Sequence, residues 1–285
     1  MSQQVQRPQE RYGAPSRTMA ERLAAGRERW PTRAEVRGAL GLLRDRRWLL
    51  ALFGVVLLSV LFVFLGRWQF HRHEFREARK NLVAHNYDAA PVDLAALDAQ
   101  VDGRLTTSLP AHLQWRPVRV TGSYVADAQV LVRNKPRDGQ AGFDVVVPIR
   151  SDDGLVLLVD RGWVPAGSDV TRPAVVPAVP GGQVTVVARL RPSEVGAERA
   201  ANGQVTRIDV RALTGSGTAG GRVVQAYGQL VAETPAAPDT PAPADPPDFG
   251  IGINLAYAFQ WWAFAAAAYV LFGVAMVREV RRLDQ

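Results

Sequence analysis

The amino-acid sequence predicts a membrane protein with one transmembrane helix near each end and an antiparallel, β-rich α+β domain between them. Two long runs without a charged residue predict the helices. Short valine-rich segments, bounded by Gly, Pro, Asn and Asp, predict the domain. The distribution of arginine predicts that this domain lies on the outer side of the membrane.

The first uncharged run covers residues 48–66 and reads WLLALFGVVLLSVLFVFLG. As a helix it spans roughly 28 Å, which is close to the thickness of the hydrocarbon core of a bilayer. A cleaved signal peptide is the alternative, but the run starts almost fifty residues into the chain and is followed by no small-residue cleavage site. We therefore predict a transmembrane helix that continues as a helical extension through residues 67–85.

The second uncharged run covers residues 249–277 and is dense in Ala, Trp, Phe and Val. A buried core helix is the alternative, and the length of the run argues against it. Three arginines follow the run, in the short tail 278–285. We predict a second transmembrane helix at 249–277.

The two ends of the chain carry the excess positive charge. Residues 1–47 contain 11 Arg against 5 acidic residues, whereas residues 67–248 contain 20 basic and 20 acidic residues. Because Lys and Arg resist translocation, we predict a multi-pass protein of a bacterial inner membrane, with both termini cytoplasmic. Basic residues just after the first helix oppose this orientation, and the larger charge difference at the ends outweighs them.

The formal net charge of +7 resides almost entirely in the basic, mostly disordered tail at 1–47. Such a tail beside a membrane predicts contact with anionic lipid rather than with nucleic acid. The glutamates within it argue against a mitochondrial transit peptide. The chain has no cysteine, so disulfides and thiolate metal sites are excluded.

Strand signals fill the predicted outer domain, residues 67–233, and favour a small sandwich or barrel. The strong ones lie at 117–125, 128–134, 143–150, 155–164 and 183–191, and the weaker ones at 205–210 and 222–233. Asp152-Asp153-Gly154 predicts a hairpin turn, and Asp93 predicts the start of a short helix. The Pro-rich stretch 234–248 predicts a tether that does not pack.

Catalytic patterns are missing from the sequence. His71 and His73, an i, i+2 pair on a helix, point to different faces and do not predict a shared metal site. Acidic residues are scattered, and no serine lies in a hydrolase context. We predict that the protein is not an enzyme.

Four local patterns carry more information. Trp68, Gln69 and Arg72 follow the first helix, where anchoring at the interface explains most of their pattern. Residues 133–143 form a turn-rich link, and Arg161 and Trp163 lie at the end of a strand. In the second helix a set of polar and aromatic residues shares roughly one side, either as interface aromatics or as a surface for protein or cofactor. They are Asn254, Tyr257, Gln260, Trp261 and Phe264.

In this order, between two terminal helices, the segments resemble the Surfeit-locus family of cytochrome c oxidase assembly factors, called the Shy family in yeast. The resemblance covers roughly residues 50–278. It rests on the segments LGRWQ at 65–69 with Arg72, RVTGSY at 119–124, GF at 142–143, LVDRGWVP at 158–165 and YAFQW at 257–261.

The resemblance implies a role in assembling haem-copper oxidases, by supporting insertion of haem a into the catalytic subunit or by stabilising that subunit. It implies the oxidase catalytic subunit and haem a synthase as partners, with haem a as a transient ligand rather than a resident cofactor. It also implies that Tyr257, Gln260 and Trp261, together with Trp68 and Arg72, meet the oxidase. Arg161 and Trp163 are then expected at the surface of the outer domain.

One position departs from the family pattern. The second helix of the family commonly begins His-Leu-Gly-Tyr-Ala, and that histidine is a candidate haem contact. Here the position is Asn254, and asparagine is a poor iron ligand beside imidazole. The departure therefore argues against axial ligation of haem iron from this position, and a hydrogen bond to a propionate or formyl group is the haem contact that remains open to Asn254.

Two alternatives to an assembly factor are a membrane sensor and a permanent structural subunit of a respiratory complex. A sensor requires a folded cytoplasmic output, and the sequence offers only an Arg-rich tail and eight C-terminal residues. The sequence does not separate a permanent subunit from a transient partner. A periplasmic enzyme is a third alternative, and it lacks a nucleophile and a base.

Overall fold

The computed structural model describes residues 30–199, 203–214, 221–250 and 252–285. In these ranges the helices are α1 (Arg33–Leu42), α2 (Arg46–Asn86), α3 (Leu94–Gln100), α4 (Val210–Leu213) and α5 (Asn254–Leu283). The strands are β1 (Val92–Asp93), β2 (Pro117–Tyr124), β3 (Val130–Val132), β4 (Gly142–Ser151), β5 (Leu155–Pro165), β6 (Gln183–Pro192) and β7 (Arg222–Thr234).

The chain divides into two compact units. The helical unit consists of the described residues up to Phe70 together with Ile253–Gln285, and the barrel unit consists of His71–Gly252. Helices α2 and α5 are long and apolar enough to cross a membrane. The prediction of two apolar helices with a β-rich domain between them is confirmed.

In the helical unit α2 and α5 run antiparallel. Trp48, near the start of α2, contacts Phe272 of α5, and Phe62, further along α2, stacks on Trp261. The contact residue with the higher number in α2 therefore has the partner with the lower number in α5, as in an antiparallel pair. If both helices cross a membrane, the segments before α2 and after α5 therefore emerge on the same side.

Helix α1 lies in the segment predicted to be mostly disordered. Thr32 caps it by accepting a hydrogen bond from the backbone N–H of Glu35, whose carboxylate accepts one from the N–H of Thr32. Ala39 packs against Met276 and Val280 of α5. Arg33–Leu42 is thus an ordered part of the tail, and residues 1–29, on which the prediction of a mostly disordered tail mainly falls, lie outside the described residues.

The barrel unit contains a small β-barrel, one of the two predicted architectures. Strand β2 pairs with β6 and also with β4, so the order β2-β6-β7-β5-β4 returns to β2 and closes the sheet. At this closure Gly122 is required, because a Cβ there would overlap the carbonyl oxygen of Arg150. Pairing is antiparallel, as predicted, between most neighbouring strands, and it is parallel between β5 and β7 and between β1 and β2.

Apolar residues that alternate along the strands fill the barrel. Val118 and Val120 of β2 are buried with Leu157 of β5, and α3 adds Leu94 and Leu97. Asp93 caps α3, as predicted, by accepting hydrogen bonds from the backbone N–H groups of Ala95 and Ala96. The hairpin at residues 151–154 is also present, with Gly154 at a φ of 78°.

Two predictions about the end of the domain are wrong. The segment 205–210 is not a strand, since Val205 makes only isolated bridges and Val210 begins α4. The Pro-rich stretch packs on the barrel: the N–H of Ala242 donates to the Trp163 carbonyl at 2.8 Å, and the Trp163 N–H donates to the Ala242 carbonyl at 2.7 Å. Arg137 also pairs with Asp245. Backbone hydrogen bonds do not depend on side-chain pattern, so composition could not reveal this contact.

Candidate functional site

The first half of α5 presents a narrow, small-residue face to α2. Ala258 is fully buried and Ala265 nearly so, and the Ser59 hydroxyl donates to the Ala265 carbonyl at 3.4 Å. Small residues let apolar helices approach closely, so that packing and interhelical hydrogen bonds hold the pair together.

Aromatic rings flank this face. The rings of Phe62 and Trp261 stack with their centroids 5.6 Å apart and their planes at 29°. Phe264 approaches both, at 5.9 Å from Phe62 and 5.9 Å from Trp261. Trp261, predicted to face a cofactor or the oxidase, is therefore a partly buried contact with α2.

A second indole, that of the next residue Trp262, also holds α5 against α2. Trp262 lies against Gly66, where an added Cβ would overlap the indole ring. Its ring also packs on Phe70, with centroids 6.0 Å apart. Phe62, Gly66 and Phe70 are spaced by four residues, so they share one face of α2. This spacing, visible in the sequence, is the signal by which the contact could have been found.

The predicted residues of α5 divide between two faces. Asn254 and Trp261 turn inward, whereas Tyr257, Gln260 and Phe264 are exposed. At 100° per residue, the last three lie within one narrow arc of the helix. The structure thus exposes Tyr257 and Gln260 and turns Asn254 and Trp261 inward, and Phe264, whose ring contacts Trp261 and Phe62, lies at the boundary between the two sets.

The predicted residues of α2 do not join that face. Trp68 is 52% exposed and lies two residues from Gly66, which places it on the opposite side of α2 from the contact with α5. Gln69 is half-buried. Arg72 is exposed and belongs to the barrel unit.

Arg161 is not at the surface of the outer domain, and that prediction is wrong. Its Nη2 lies 2.9 Å from Oε1 of Glu233, and the two side chains are 0% and 3% exposed. Nη1 donates to the Pro177 carbonyl at 3.1 Å. The Tyr124 hydroxyl donates to the other Glu233 oxygen at 3.0 Å, and burial raises the pKa of this tyrosine. The guanidinium is therefore part of a buried polar cluster in the barrel.

Trp163, also predicted at the surface, is half-buried. Its Nε1 donates to the Lys135 carbonyl at 2.6 Å, and its ring covers Gly142, where a Cβ would overlap it. The backbone pair with Ala242 holds it from the other side. Through these contacts Trp163 joins β4, β5 and the Pro-rich stretch.

Two carboxylates lie beside this region, Asp160 buried and Asp144 half-buried. Burial raises the pKa of Asp160 to about 7, and the negative charge of Asp144 adds to the shift. Asp144 lies 3.3 Å from Nζ of Lys135, and burial raises its pKa as well. Asp160 accepts a hydrogen bond from the Gly162 N–H at 3.1 Å. Ionisation of Asp160 thus opposes folding near neutral pH.

Asn254 of α5 is buried in the helical unit, and its side-chain amide can contact a polar ligand there. It is 9% exposed, and its Nδ2 has no hydrogen-bond partner among the described residues. A buried amide of this kind can donate to an oxygen of a haem substituent. It cannot replace an imidazole on iron, and the histidines of the chain all lie outside α5. They are His71, His73, His85 and His112.

Comparison with known proteins finds one family and several relatives. A model described as the SURF1 family matches residues 56–266. An uncharacterised SURF1-like protein of Mycobacterium tuberculosis is 34% identical over 246 residues, covering 82% of this chain and 85% of the relative. A SURF1-like protein of Rickettsia bellii is 25% identical over 38% of this chain and 41% of its own length. One from Monosiga brevicollis is 32% identical over 35% of this chain and 40% of its own length.

Proposed function

This chain belongs to the SURF1 family, and from that premise we propose that it is an assembly factor for haem-copper cytochrome c oxidase. The family is known generally for oxidase assembly, and the resemblance predicted from the sequence is confirmed at the level of the family. In this proposal the protein supports haem a insertion or stabilises the catalytic subunit, without itself catalysing a reaction. The partners are that subunit and haem a synthase.

The proposed location is the inner membrane, with both ends of the chain cytoplasmic and the barrel outside. The antiparallel packing of α2 and α5 supports placing both ends on one side, since their aromatic contacts run in opposite order along the two helices. The arginines before α2 and after α5 support the cytoplasm as that side.

The exposed face of α5 is the observation that carries the proposal. Gln260 is exposed between Tyr257 and Phe264 on a helix long and apolar enough to cross a membrane. A polar side chain there is costly against lipid, so it is expected to face a protein partner. Transmembrane helices of the oxidase catalytic subunit are the partner that the family membership favours.

Asn254 has a separate part in this proposal. Its buried Nδ2 is a donor without an acceptor among the described residues, which favours a hydrogen bond to an oxygen of haem a during transfer. In this proposal Asn254 orients haem a, and the haem iron is bound by other ligands. Haem, when present, supplies the metal centre of the finished oxidase.

The test compares membranes of a strain lacking this chain with membranes of the same strain carrying the intact gene. The readout is the haem a band in reduced-minus-oxidised spectra. A lost or weakened band that the gene restores supports the proposal, whereas an unchanged band with normal oxidase turnover refutes it. Stoichiometric presence of the chain in mature oxidase would instead indicate a permanent subunit.

Variants of α5 locate the contact. Tyr257→Leu and Tyr269→Leu form a matched pair, since the two side chains are 42% and 46% exposed on one helix. We expect Tyr257→Leu and Gln260→Leu to accumulate normally in the membrane and to lower the haem a band, and Tyr269→Leu to leave it unchanged. Equal bands in all three would remove this face from the proposal.

A further inference from the structure

The turn-rich link at residues 133–143 has no part in the proposed function, and it folds into an ordered hairpin between β3 and β4. The N–H of Arg137 donates to the Gln140 carbonyl, and the N–H of Gln140 donates to the Arg137 carbonyl, each at 2.9 Å. Nearer the strands, the N–H of Lys135 donates to the Gly142 carbonyl at 3.3 Å. The two arms of the link are therefore held together at both its tip and its base.

The base of this hairpin borders a cavity of about 360 Å³ in the barrel unit. This volume lies in the lower part of the range found for small-molecule sites. Val170, in the loop between β5 and β6, and Gln204 complete the wall. Gln204 is buried, and its Nε2 donates to the Thr171 carbonyl at 2.7 Å, which joins these two segments. The cavity is thus formed by three segments that hydrogen bonds hold in place.

The link carries three cationic side chains, and two of them have acidic partners. Nζ of Lys135 lies 3.3 Å from a carboxylate oxygen of Asp144, and Arg137 pairs with Asp245 of the Pro-rich stretch. The third, Arg133, is half-buried, lines the cavity and has no acidic partner among the described residues. The wall of the cavity therefore carries one uncompensated positive charge.

Apolar groups form much of the remaining wall. Phe143 is buried, and Pro136, Ala141 and Val170 border the same cavity. An apolar part of a ligand that contacts these groups is removed from water. Asn134, at a φ of 61°, adds a side-chain amide that can donate a hydrogen bond to an oxygen. The cavity thus combines one cation and one polar donor with an apolar surface.

We propose that this cavity binds a small monocarboxylate with a compact apolar body, whose carboxylate pairs with Arg133. The planar guanidinium matches a carboxylate with two parallel hydrogen bonds. A single negative charge balances the single free cation, whereas a phosphate group carries up to about two negative charges near neutral pH. The cavity lies wholly within the barrel unit, so the inference is independent of membrane insertion and of the role in oxidase assembly.

The test uses the purified full-length chain in detergent and two photoactivatable probes. One is a benzoate with a trifluoromethyl-diazirine at its para position, and the other is the corresponding benzamide, which has nearly the same shape and no charge. Cross-links are mapped by mass spectrometry. We expect the benzoate to label the peptides containing residues 134–143 and Val170 about tenfold more than the benzamide does. Equal labelling of these peptides by the two probes, or benzoate labelling chiefly elsewhere, would overturn the inference.

A charge variant with a matched control tests the contact to the carboxylate. We expect Arg133→Gln to lower labelling by the benzoate to the level of the benzamide and to leave labelling by the benzamide unchanged. Arg150→Gln is the control, because Arg150 is an exposed arginine of β4 that does not line the cavity. It should keep the preference for the benzoate. A preference that survives in Arg133→Gln would refute the proposed ion pair.

A cavity-filling variant tests the position of the apolar body by another route. Val170 and Val175 lie in the same loop and are 67% and 72% exposed, and of the two Val170 lines the cavity. We expect Val170→Phe to lower labelling by both probes severalfold and Val175→Phe to leave it unchanged. Thermal unfolding at the temperature of the original chain shows that each variant is folded. Undiminished labelling in a folded Val170→Phe chain would place the ligand outside this cavity.

Discussion

Arg161 and Glu233 form an ion pair inside the barrel, with Nη2 2.9 Å from Oε1. They join β5 to β7, the adjacent strands that run parallel. Because both charges are removed from water, each depends on the other for compensation.

Removing one partner of this pair is expected to be strongly destabilising. Glu233→Gln leaves the Arg161 guanidinium buried without its counter-charge, which costs about 3–5 kcal/mol in comparable sites. Combining it with Arg161→Met removes both charges, so the double variant should be more stable than Glu233→Gln alone. Thermal unfolding of the purified chain in detergent measures both effects. Additive losses of stability would show that the two side chains are not coupled.

The contact between β5 and the Pro-rich stretch is expected to require glycine at 162. Gly162 has a φ of 125°, and an added Cβ would overlap the Ala242 carbonyl. Gly154 also has a positive φ, of 78°, but its Cβ position is open. Gly154→Ala should therefore cost about 1 kcal/mol, and Gly162→Ala should cost more.

Limited proteolysis distinguishes the two glycine variants. Gly162→Ala should release the stretch around Ala242 and expose residues 236–248 to cleavage. Gly154→Ala should leave this stretch as protected as in the original chain. Equal cleavage in both would indicate that the clash with Ala242 is relieved without undocking.

Stability should fall as the pH rises toward neutrality, because of Asp160. Its pKa rises from 3.8 unfolded to about 7 folded, so the folded state binds more protons between these values. The stabilisation is complete below pH 4 and is lost as the pH rises through 7. At about 1.4 kcal/mol per pKa unit, the difference is up to about 4 kcal/mol.

Asp160→Asn tests the source of this dependence. The amide oxygen can still accept the hydrogen bond from Gly162, so the variant removes the charge and keeps the contact. We expect it to be more stable than the original chain at pH 8 and to show a smaller loss between pH 5 and pH 8. Asp144, whose pKa is also raised, supplies the remaining slope. An unchanged slope in thermal unfolding would argue against ionisation of Asp160.

The packing of Trp262 against Gly66 predicts a sharp size limit at residue 66. Gly66→Ala should weaken the pairing of α2 and α5 by about 1–3 kcal/mol, the usual cost of overpacking. Gly54→Ala, where the Cβ meets open space, should be neutral or stabilising. Trp262→Ala should relieve the clash when combined with Gly66→Ala. Thermal unfolding in detergent compares the four chains, and a deficit in Gly54→Ala equal to that of Gly66→Ala would exclude this contact as the cause.

The elements that could be read from the sequence are those with a local pattern. Uncharged runs located α2 and α5, alternating valines such as Val118 and Val120 located β2, and Asp93 marked the start of α3. The capping pattern Thr32-x-x-Glu35 marks the start of α1 in the same local way.

The remaining features depend on partners distant in the chain. Glu233 follows Arg161 by 72 residues, so nothing near Arg161 indicates that its charge is buried. The parallel pairing of β5 with β7 and the docking of Ala242 on Trp163 are backbone contacts between remote segments. In α5, the sequence placed Asn254, Tyr257 and Trp261 on roughly one side, and only the position of α2 divides them.

The helical unit is assembled from two segments that are synthesised at very different times. Arg281, the ion-pair partner of Glu35, follows it by 246 residues, which at usual rates of synthesis corresponds to roughly 12–50 s. During that interval α2 has no α5 to cover Gly66, whereas the barrel unit, continuous in sequence, can fold as soon as it emerges. Pairing of α2 with α5 therefore waits until α5 has been synthesised, and a chain truncated before Asn254 should leave the ribosome with its barrel formed and α2 unpaired.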